Sequence, residues 1–303
     1  MATQIFGHKN PDTDTIAAAI AGAEYFRLFG IDVQPVALGP ANDETRFVLD
    51  YFDIEMPPII DEATEDSVIL VDHNEFEQSV DNIADVKITH VIDHHKVTFE
   101  YSEPIFFHVE PVGSTSTILY YFMKVFGQDL SKQTAGLLMS AIISDTLLLK
   151  SPTTTQFDRE ALPELARMAG IENYEDYGMQ MLKAGTNLSD KTEDQLIEGD
   201  AKTFEIANKK WRIGQVNTVD IDSVLARKDK ILAAIEKQMD KENYDNYLFV
   251  ITDILNSNSK GIFMGEEISK IKDAFDKEVI DSVVDLPGVV SRKKQVVPPL
   301  ENA

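Results

Sequence analysis

The 303-residue chain contains no cysteine. That absence excludes disulfides, thiolate metal sites and cysteine nucleophiles, and it leaves imidazole and carboxylate as the only strong metal ligands. Positive charge is scarce as well: 28 Lys and Arg face 52 Asp and Glu, for a net charge of −24. Phosphate backbones are gripped by clustered cations, so nucleic acid and anionic membrane surfaces are disfavoured as partners. No apolar run approaches the roughly 20 residues needed to span a bilayer, and the first residues lack the basic-then-apolar pattern of a signal peptide. Cytoplasmic residence is the resulting expectation. Histidine is missing from everything beyond His108.

What the chain does have is enough apolar content, 43% of residues, to pack the cores of two ordinary domains. Its charge is unevenly placed. Residues 1–187 carry 11 Lys and Arg against 30 Asp and Glu, whereas 188–303 carry 17 against 22, and all six histidines fall in the first part. This predicts an acidic, histidine-bearing domain over 1–187 and a second, more cationic domain over 195–303. The polar stretch "GTNLSDKTED", 185–194, is the candidate joint, with 188–194 as the linker proper.

Short β-rich runs alternate with helical patterns along the first part. "TQIFG", "DVQPVAL", "SVILVD" and "ITHVID" read as strands; the last two are near-continuous apolar runs, as in buried parallel strands. "TIAAAIAGAEYFRLFG", "STSTILYYFMKVFG" and "QTAGLLMSAIISDT" read as helices. The alternation predicts an α/β class fold with a doubly wound, mainly parallel sheet. In such sheets ligands collect beyond the carboxyl ends of the strands, and His8, Asp72 and the "DHH" at 93–95 all follow strand runs directly. The second part reads as a smaller mixed α/β domain: a hairpin turning near Asn208, a helix over about 222–241, the strands "YLFVITDIL" and "KGIFMG", another helix, and a β-rich tail "GVVSRKKQVV".

The chemistry concentrates in "GHKNPDTD", 7–14, where His8, Asp12 and Asp14 share one strand-to-helix loop. Capping of the helix accounts for one aspartate. It accounts neither for a second carboxylate nor for the histidine. Asp72, in "VDHNE", adds a carboxylate whose two oxygens could bridge two cations, while His73 stays ambiguous between an outer role and a polar contact at a helix start. In "VIDHHK" one imidazole can ligate metal while its neighbour meets substrate, with Asp93 accepting a histidine N–H to fix the tautomer. Asp145, at the end of an apolar helix, is a carboxylate where burial alone would not put one. His8, Asp12, Asp14, Asp72, His94 and Asp145 together make a two-metal hydrolase candidate, and mixed nitrogen and oxygen donors suit manganese or cobalt better than magnesium.

The ordered set "GHKNPDTD", "VDHNE", "VIDHH" and a late acidic residue resembles the DHH phosphoesterase superfamily. With "SRKKQ" at 291–295 the chain resembles specifically the family II, manganese-dependent inorganic pyrophosphatases. The resemblance implies a DHH domain that carries the metals and a DHHA2-type domain that clamps pyrophosphate, the substrate, in an active site between the two. It implies two Mn²⁺ per subunit, one held by His8, Asp12 and Asp72 and the other by Asp14, Asp72, His94 and Asp145, with Co²⁺ as a substitute and Mg²⁺ accompanying the substrate. It implies that His95, Lys202, Arg292 and Lys293 serve the substrate during hydrolysis by a hydroxide shared between the metals, and that Gln78 touches this nucleophile from behind. It further implies a homodimer through the N-terminal domain. Arg292 and Lys293 would point to opposite faces of a regular strand, so a bend or loop is expected after Pro287-Gly288. The alternatives are a DHH phosphoesterase for short oligonucleotides or nucleotide messengers, and a metal-binding regulatory module without catalysis. The first would need a glycine- and histidine-rich motif in the second part, which is absent; the second leaves "SRKKQ" without a purpose.

Overall fold

The computed structural model describes residues 3–303 and divides into two compact units, Met1–Gly185 and Thr186–Ala303. In the N-terminal unit the chain runs β1 (Thr3–Phe6), α1 (Thr13–Arg27), β2 (Val33–Pro35), α2 (Asp43–Tyr51), β3 (Ser67–Val71), β4 (Lys87–Asp93), β5 (Phe106–Val109), α3 (Thr115–Val125), α4 (Lys132–Thr146), α5 (Gln156–Ala169) and α6 (Tyr174–Gly185). The five strands form one parallel sheet in the order β2-β1-β3-β4-β5. The order reverses between β1 and β3, and a ligand crevice opens at such a switch point. The loops that leave β1 and β3 begin with Gly7-His8 and with Asp72. Val68, Ile69, Leu70, Val71 and Ile88 are fully buried, as a sheet covered on both faces requires.

The expected strands and helices are present, and α2, α5, α6 and the short edge strand β5 join them. β5, "FFHV", is only four residues long, which gives periodicity little to work on.

The C-terminal unit comprises α7 (Glu193–Glu198), β6 (Ala201–Ile206), β7 (Lys209–Thr218), α8 (Ile221–Leu225), α9 (Lys228–Glu242), β8 (Asn246–Asp253), β9 (Asn258–Gly265), α10 (Ile268–Phe275), β10 (Val283–Pro287) and α11 (Val297–Asn302). Its sheet, β10-β9-β8-β7-β6, is mixed: only β7 and β8 run parallel. Along the central β8, Leu248 and Val250 face one apolar cluster while Tyr247, Phe249 and Ile251 face another. The β6–β7 hairpin turns through Ala207 and Asn208, both at positive φ. Segment 188–194, polar enough to read as a linker, is held against this unit. Arg227 donates to Leu188 O at 2.9 Å, Lys191 O at 2.6 Å and Glu193 Oε1 at 2.9 Å.

Two expectations are corrected. The helix expected over 222–241 is two, α8 and α9, because Asp220 caps a first short turn and the chain re-enters a helix at Lys228. The β-rich tail is not a strand after Pro287. Gly288 adopts φ +75°, Ser291 Oγ accepts from Lys294 N, and residues 292–302 are helical. Valine pairs flanking the cations fit either period, and the Pro298-Pro299 start of α11 decides for the helix.

Candidate metal centre

Asp12 is the N-cap of α1: its Oδ1 accepts from Thr15 N at 3.0 Å. The other oxygen, Oδ2, faces His8 Nε2 at 3.4 Å, so one carboxylate both caps the helix and enters the cluster. Asp14, two residues further and 0% exposed, is gripped by the start of α3. Thr115 N and Ser116 Oγ each donate to it at 2.6 Å and Ser116 N at 3.0 Å, where the helix dipole favours negative charge.

Asp72 occupies the centre. It is 1% exposed, with φ +59° just beyond β3, a conformation that aspartate tolerates better than most residues. Thr15 Oγ1 donates to Oδ2 at 2.8 Å and Thr115 Oγ1 to Oδ1 at 3.1 Å. Its two oxygens point at different imidazoles: Oδ2 lies 3.6 Å from His8 Nε2 and Oδ1 lies 3.5 Å from His94 Nε2. Burial first, and then the charges of Asp14 and Asp12, push its carboxyl well above the usual range.

The two imidazoles are held alike. His8 Nδ1 meets Lys9 O at 2.8 Å, and His94 Nδ1 meets Val112 O at 3.0 Å. A backbone carbonyl can only accept, so each Nδ1 carries a proton, and each Nε2, once deprotonated, is the ring atom left to ligate a cation beside Asp72. His95 differs. Its Nδ1 donates to Asp93 Oδ1 at 2.9 Å, which raises its pKa and leaves Nε2 on the open side of a ring 45% exposed. Asp93 also accepts from the backbone N–H of His94 and of His95, and from Asn74. It therefore orients the whole "HH" pair by its backbone and one ring by its side chain. Two adjacent imidazoles serve here to face different things, with ring centroids 4.2 Å apart and planes at 67°.

Asp145 closes the group from the end of α4. Its Oδ2 is buried, 3.9 Å from His94 Nε2, and has no hydrogen-bond partner. Burial, then the charges of Asp14, Asp12 and Asp72, push its carboxyl well up. A buried orphan acceptor among like charges is what a cation would satisfy. Ligand atoms of His8, Asp12 and Asp72, of Asp14, His94 and Asp145, and of Asp72, His94 and His95 lie within 4.8 Å of one another in each trio. The donor set fits divalent metal, with Asp72 common to two trios.

The cluster lines a cleft of about 620 Å³, whose other wall is Pro111–Gly113 and Ser151–Thr155. The chain reaches that wall through Leu147, Leu148 and Leu149 in succession at φ +48°, +55° and +62°. Left-handed backbone costs roughly 1–2 kcal/mol per residue, and this turn follows Asp145 directly.

Other sequence candidates fall elsewhere. His73 is 2% exposed, with Nδ1 on Val71 O and its pKa lowered by burial to about 4, and it stays outside the trios. Gln78 contributes its backbone oxygen, which accepts Lys9 N at 2.8 Å; its side chain is exposed. Glu44, which no local pattern marks, accepts from Thr13 and Ser144 and ties the start of α1 to the end of α4.

Comparison with known proteins decides the family. Residues 3–142 match the model of the DHH family, N-terminal domain, and residues 179–303 that of the DHHA2 domain. The chain is 50% identical to the "Probable manganese-dependent inorganic pyrophosphatase" of Lactobacillus acidophilus, over 99% of this chain and 97% of that one. It belongs to the manganese-dependent inorganic pyrophosphatase family. The corresponding protein of Lactobacillus delbrueckii subsp. bulgaricus is 49% identical over the same shares. A solved structure, the Methanococcus jannaschii "putative family II inorganic pyrophosphatase", is 42% identical over 99% of this chain and 98% of that chain, with a TM-score of 0.64.

The cations that this family resemblance singles out lie in the C-terminal unit. Lys202 is exposed on β6, opposite Ile213 of β7. Arg292, 8% exposed, donates to Asp200 O, to Asp200 Oδ1 at 2.7 Å and to Ile213 O at 3.3 Å, so it meets the same rung. Lys293 is exposed. The helical turn places the two cations on neighbouring sides of one helix, in place of the opposite faces of a strand. Gln295 staples the turn, accepting from Val290 N and Ser291 N and donating to Gly288 O.

Proposed function

We propose that the chain hydrolyses pyrophosphate to two phosphates at a pair of Mn²⁺ ions, one held by His8, Asp12 and Asp72 and the other by Asp14, Asp72, His94 and Asp145. The observation that carries this reading is Asp72, whose two oxygens face the Nε2 atoms of two different imidazoles, in a chain half identical to manganese-dependent pyrophosphatases. When bound, such ions supply a nucleophilic water at neutral pH and positive charge against phosphoryl oxygens. Co²⁺ would serve in their place, and Mg²⁺ would arrive with the substrate.

The chain's own residues do the rest. Asp93 keeps the His95 ring more basic than usual, so His95 Nε2 is fitted to donate a proton or hydrogen bond to a departing phosphate. Lys202 and Lys293, both exposed, would bring cations to the substrate. Arg292 would join them by exchanging the Asp200 carboxylate for a phosphate oxygen, since a guanidinium fork fits both. A homodimer through the N-terminal unit belongs to the same reading. What supports it is β5 at the sheet edge, whose Phe106 shares an apolar surface with Phe29 and Phe126; the three are 46%, 49% and 59% exposed.

Phosphate release from Mn²⁺-loaded protein tests the proposal. Pyrophosphate should be cleaved, and a short oligonucleotide and a cyclic dinucleotide should not. Preferential cleavage of either alternative would move the chain to another DHH activity, and no release from any would leave a metal-binding module.

A further inference from the structure

We propose that Asp158, a buried carboxylate on α5, is a positioning residue for hydrolysis: it ties the Val112–Gly113 turn to α3 and to Thr155, and so sets where His94 presents its Nε2 atom. The inference rests on the reading of His94 as a metal ligand.

Asp158 is 0% exposed. Among the described residues no cation pairs with it; its surroundings are hydrogen-bond donors. Gly113 N lies 3.1 and 3.0 Å from its two oxygens, Thr117 Oγ1 donates to Oδ1 at 2.6 Å, and Thr155 N and Oγ1 each donate to Oδ2 at 2.7 Å. The bond from Thr155 N is that of a capping box at the start of α5. A cap needs nothing more. The bonds to Gly113 and Thr117 reach across more than forty residues of sequence, and they are what a cap leaves unexplained.

Gly113 shows how tightly the turn is seated. A Cβ there would lie 2.5 Å from Thr146 Cγ2 and 2.8 Å from Asp158 Oδ2, so no larger residue fits without moving the turn or the Asp158 and Thr146 side chains against it. The next residue back supplies the carbonyl that fixes His94: Val112 O meets His94 Nδ1 at 3.0 Å, and His94 Nε2 then lies 3.5 Å from Asp72 Oδ1. Asp158 thus reaches the cluster through Gly113 N and Val112 O without touching it. Through Thr155 the same carboxylate also holds the far wall of the cleft. Val112 O is the direct partner of His94, and disturbing such a partner of a metal ligand typically costs about 10–100-fold in affinity or activity.

The test uses the full chain, with Mn²⁺ affinity measured by titration calorimetry and by electron paramagnetic resonance, beside kcat and KM for pyrophosphate. Folding of each variant is checked by circular dichroism at the assay temperature. Asp158→Ala should weaken Mn²⁺ binding about 10–100-fold and lower kcat with KM little changed. Asp158→Asn should recover most of the loss, because its oxygen can still accept from Thr155 N while its amide turns to the Thr117 hydroxyl, which can accept. Should Asp158→Ala fail to fold, Gly113→Ala displaces the same turn and should show the same loss. Wild-type Mn²⁺ affinity and kcat in a folded Asp158→Ala or Gly113→Ala protein, whatever the melting temperature, would overturn the inference. His94→Asn is the control arm. If it binds Mn²⁺ as the wild type does, the metal reading itself fails; if it loses affinity while Asp158→Ala does not, only the inference fails.

Discussion

Asp72→Asn should reverse the stability order of wild type and variant according to whether Mn²⁺ is present. Without metal, Asp72 is a buried carboxylate with Asp12 and Asp14 beside it, and burial and their charges hold its pKa well up. A carboxyl whose pKa rises on folding is protonated more readily in the folded state, so its ionisation subtracts stability as pH climbs past the unfolded value. Asparagine keeps the shape and removes the charge. The Thr15 and Thr115 hydroxyls, at 2.8 and 3.1 Å, keep a partner, because one can donate to the amide oxygen while the other turns to accept. Even a buried ion pair replaced by neutral residues of similar volume is often neutral or stabilising by about 1–4 kcal/mol, and a carboxylate among like charges is less compensated than a pair. At about 2–4 °C per kcal/mol for a unit of this size, the metal-free variant should melt several degrees above wild type at neutral pH. Its advantage should shrink as pH falls and the wild-type carboxyl takes up its proton. With each ion at 100 times its Kd, the wild type gains about 2.7 kcal/mol per site, and the variant, short of the shared carboxylate, gains little. Scanning calorimetry in chelator and in Mn²⁺ reads both orders. A variant that melts below wild type in both conditions, and gains as many degrees from Mn²⁺, would refute the repulsion argument and the bridge together.

Metal-free protein should regain more phosphate-releasing activity with Mn²⁺ or Co²⁺ than with Mg²⁺ alone, and His8→Gln should narrow that preference; equal reactivation by all three ions would count against imidazole ligation. Lys293→Ala should lower kcat about 10²–10³-fold, if the contact forms mainly in the transition state, with Mn²⁺ stoichiometry and affinity unchanged by calorimetry. Burial lowers the pKa of His90, which packs against Phe26 and Phe106. The unfolded chain therefore binds that proton first, and stability is lost as pH falls through the ordinary imidazole value of 6.5 toward the folded one. His90→Phe should flatten this limb of a plot of urea midpoint against pH, and an unchanged slope would show that His90 is not its source.

Local chemistry made much of the candidate site legible. His8, Asp72, His94 and His95 follow strand runs directly, Asp12 and Asp14 share the strand-to-helix segment of His8, and in a parallel sheet strand ends share one edge, so position along the chain already implied that they meet. Capping logic carried further than expected: Asp12 caps with one oxygen and enters the cluster with the other. Asp145 stood out only as a carboxylate at the end of an apolar helix, and the left-handed turn that follows it has no signature in "LLLKS". The fold class was equally readable, because buried strands and amphipathic helices have different periods. The helical "SRKKQ" turn was not, since paired valines beside three cations satisfy either period.

The acidic, cysteine-free composition and the order of the histidine and aspartate motifs were sufficient to single out candidate hard and borderline metal ligands and the sheet edge that bears them. Which oxygen of Asp72 faces which imidazole, that Val112 O sets the His94 tautomer, that Asp158 and Glu44 brace the cluster, and that Arg292 lies against Asp200 came only with the folded chain. The division has a physical cause. Ligand type and strand-end position are properties of a few consecutive residues, whereas each of those contacts joins groups from 18 to 100 positions apart and exists only after long-range packing has brought their backbones together.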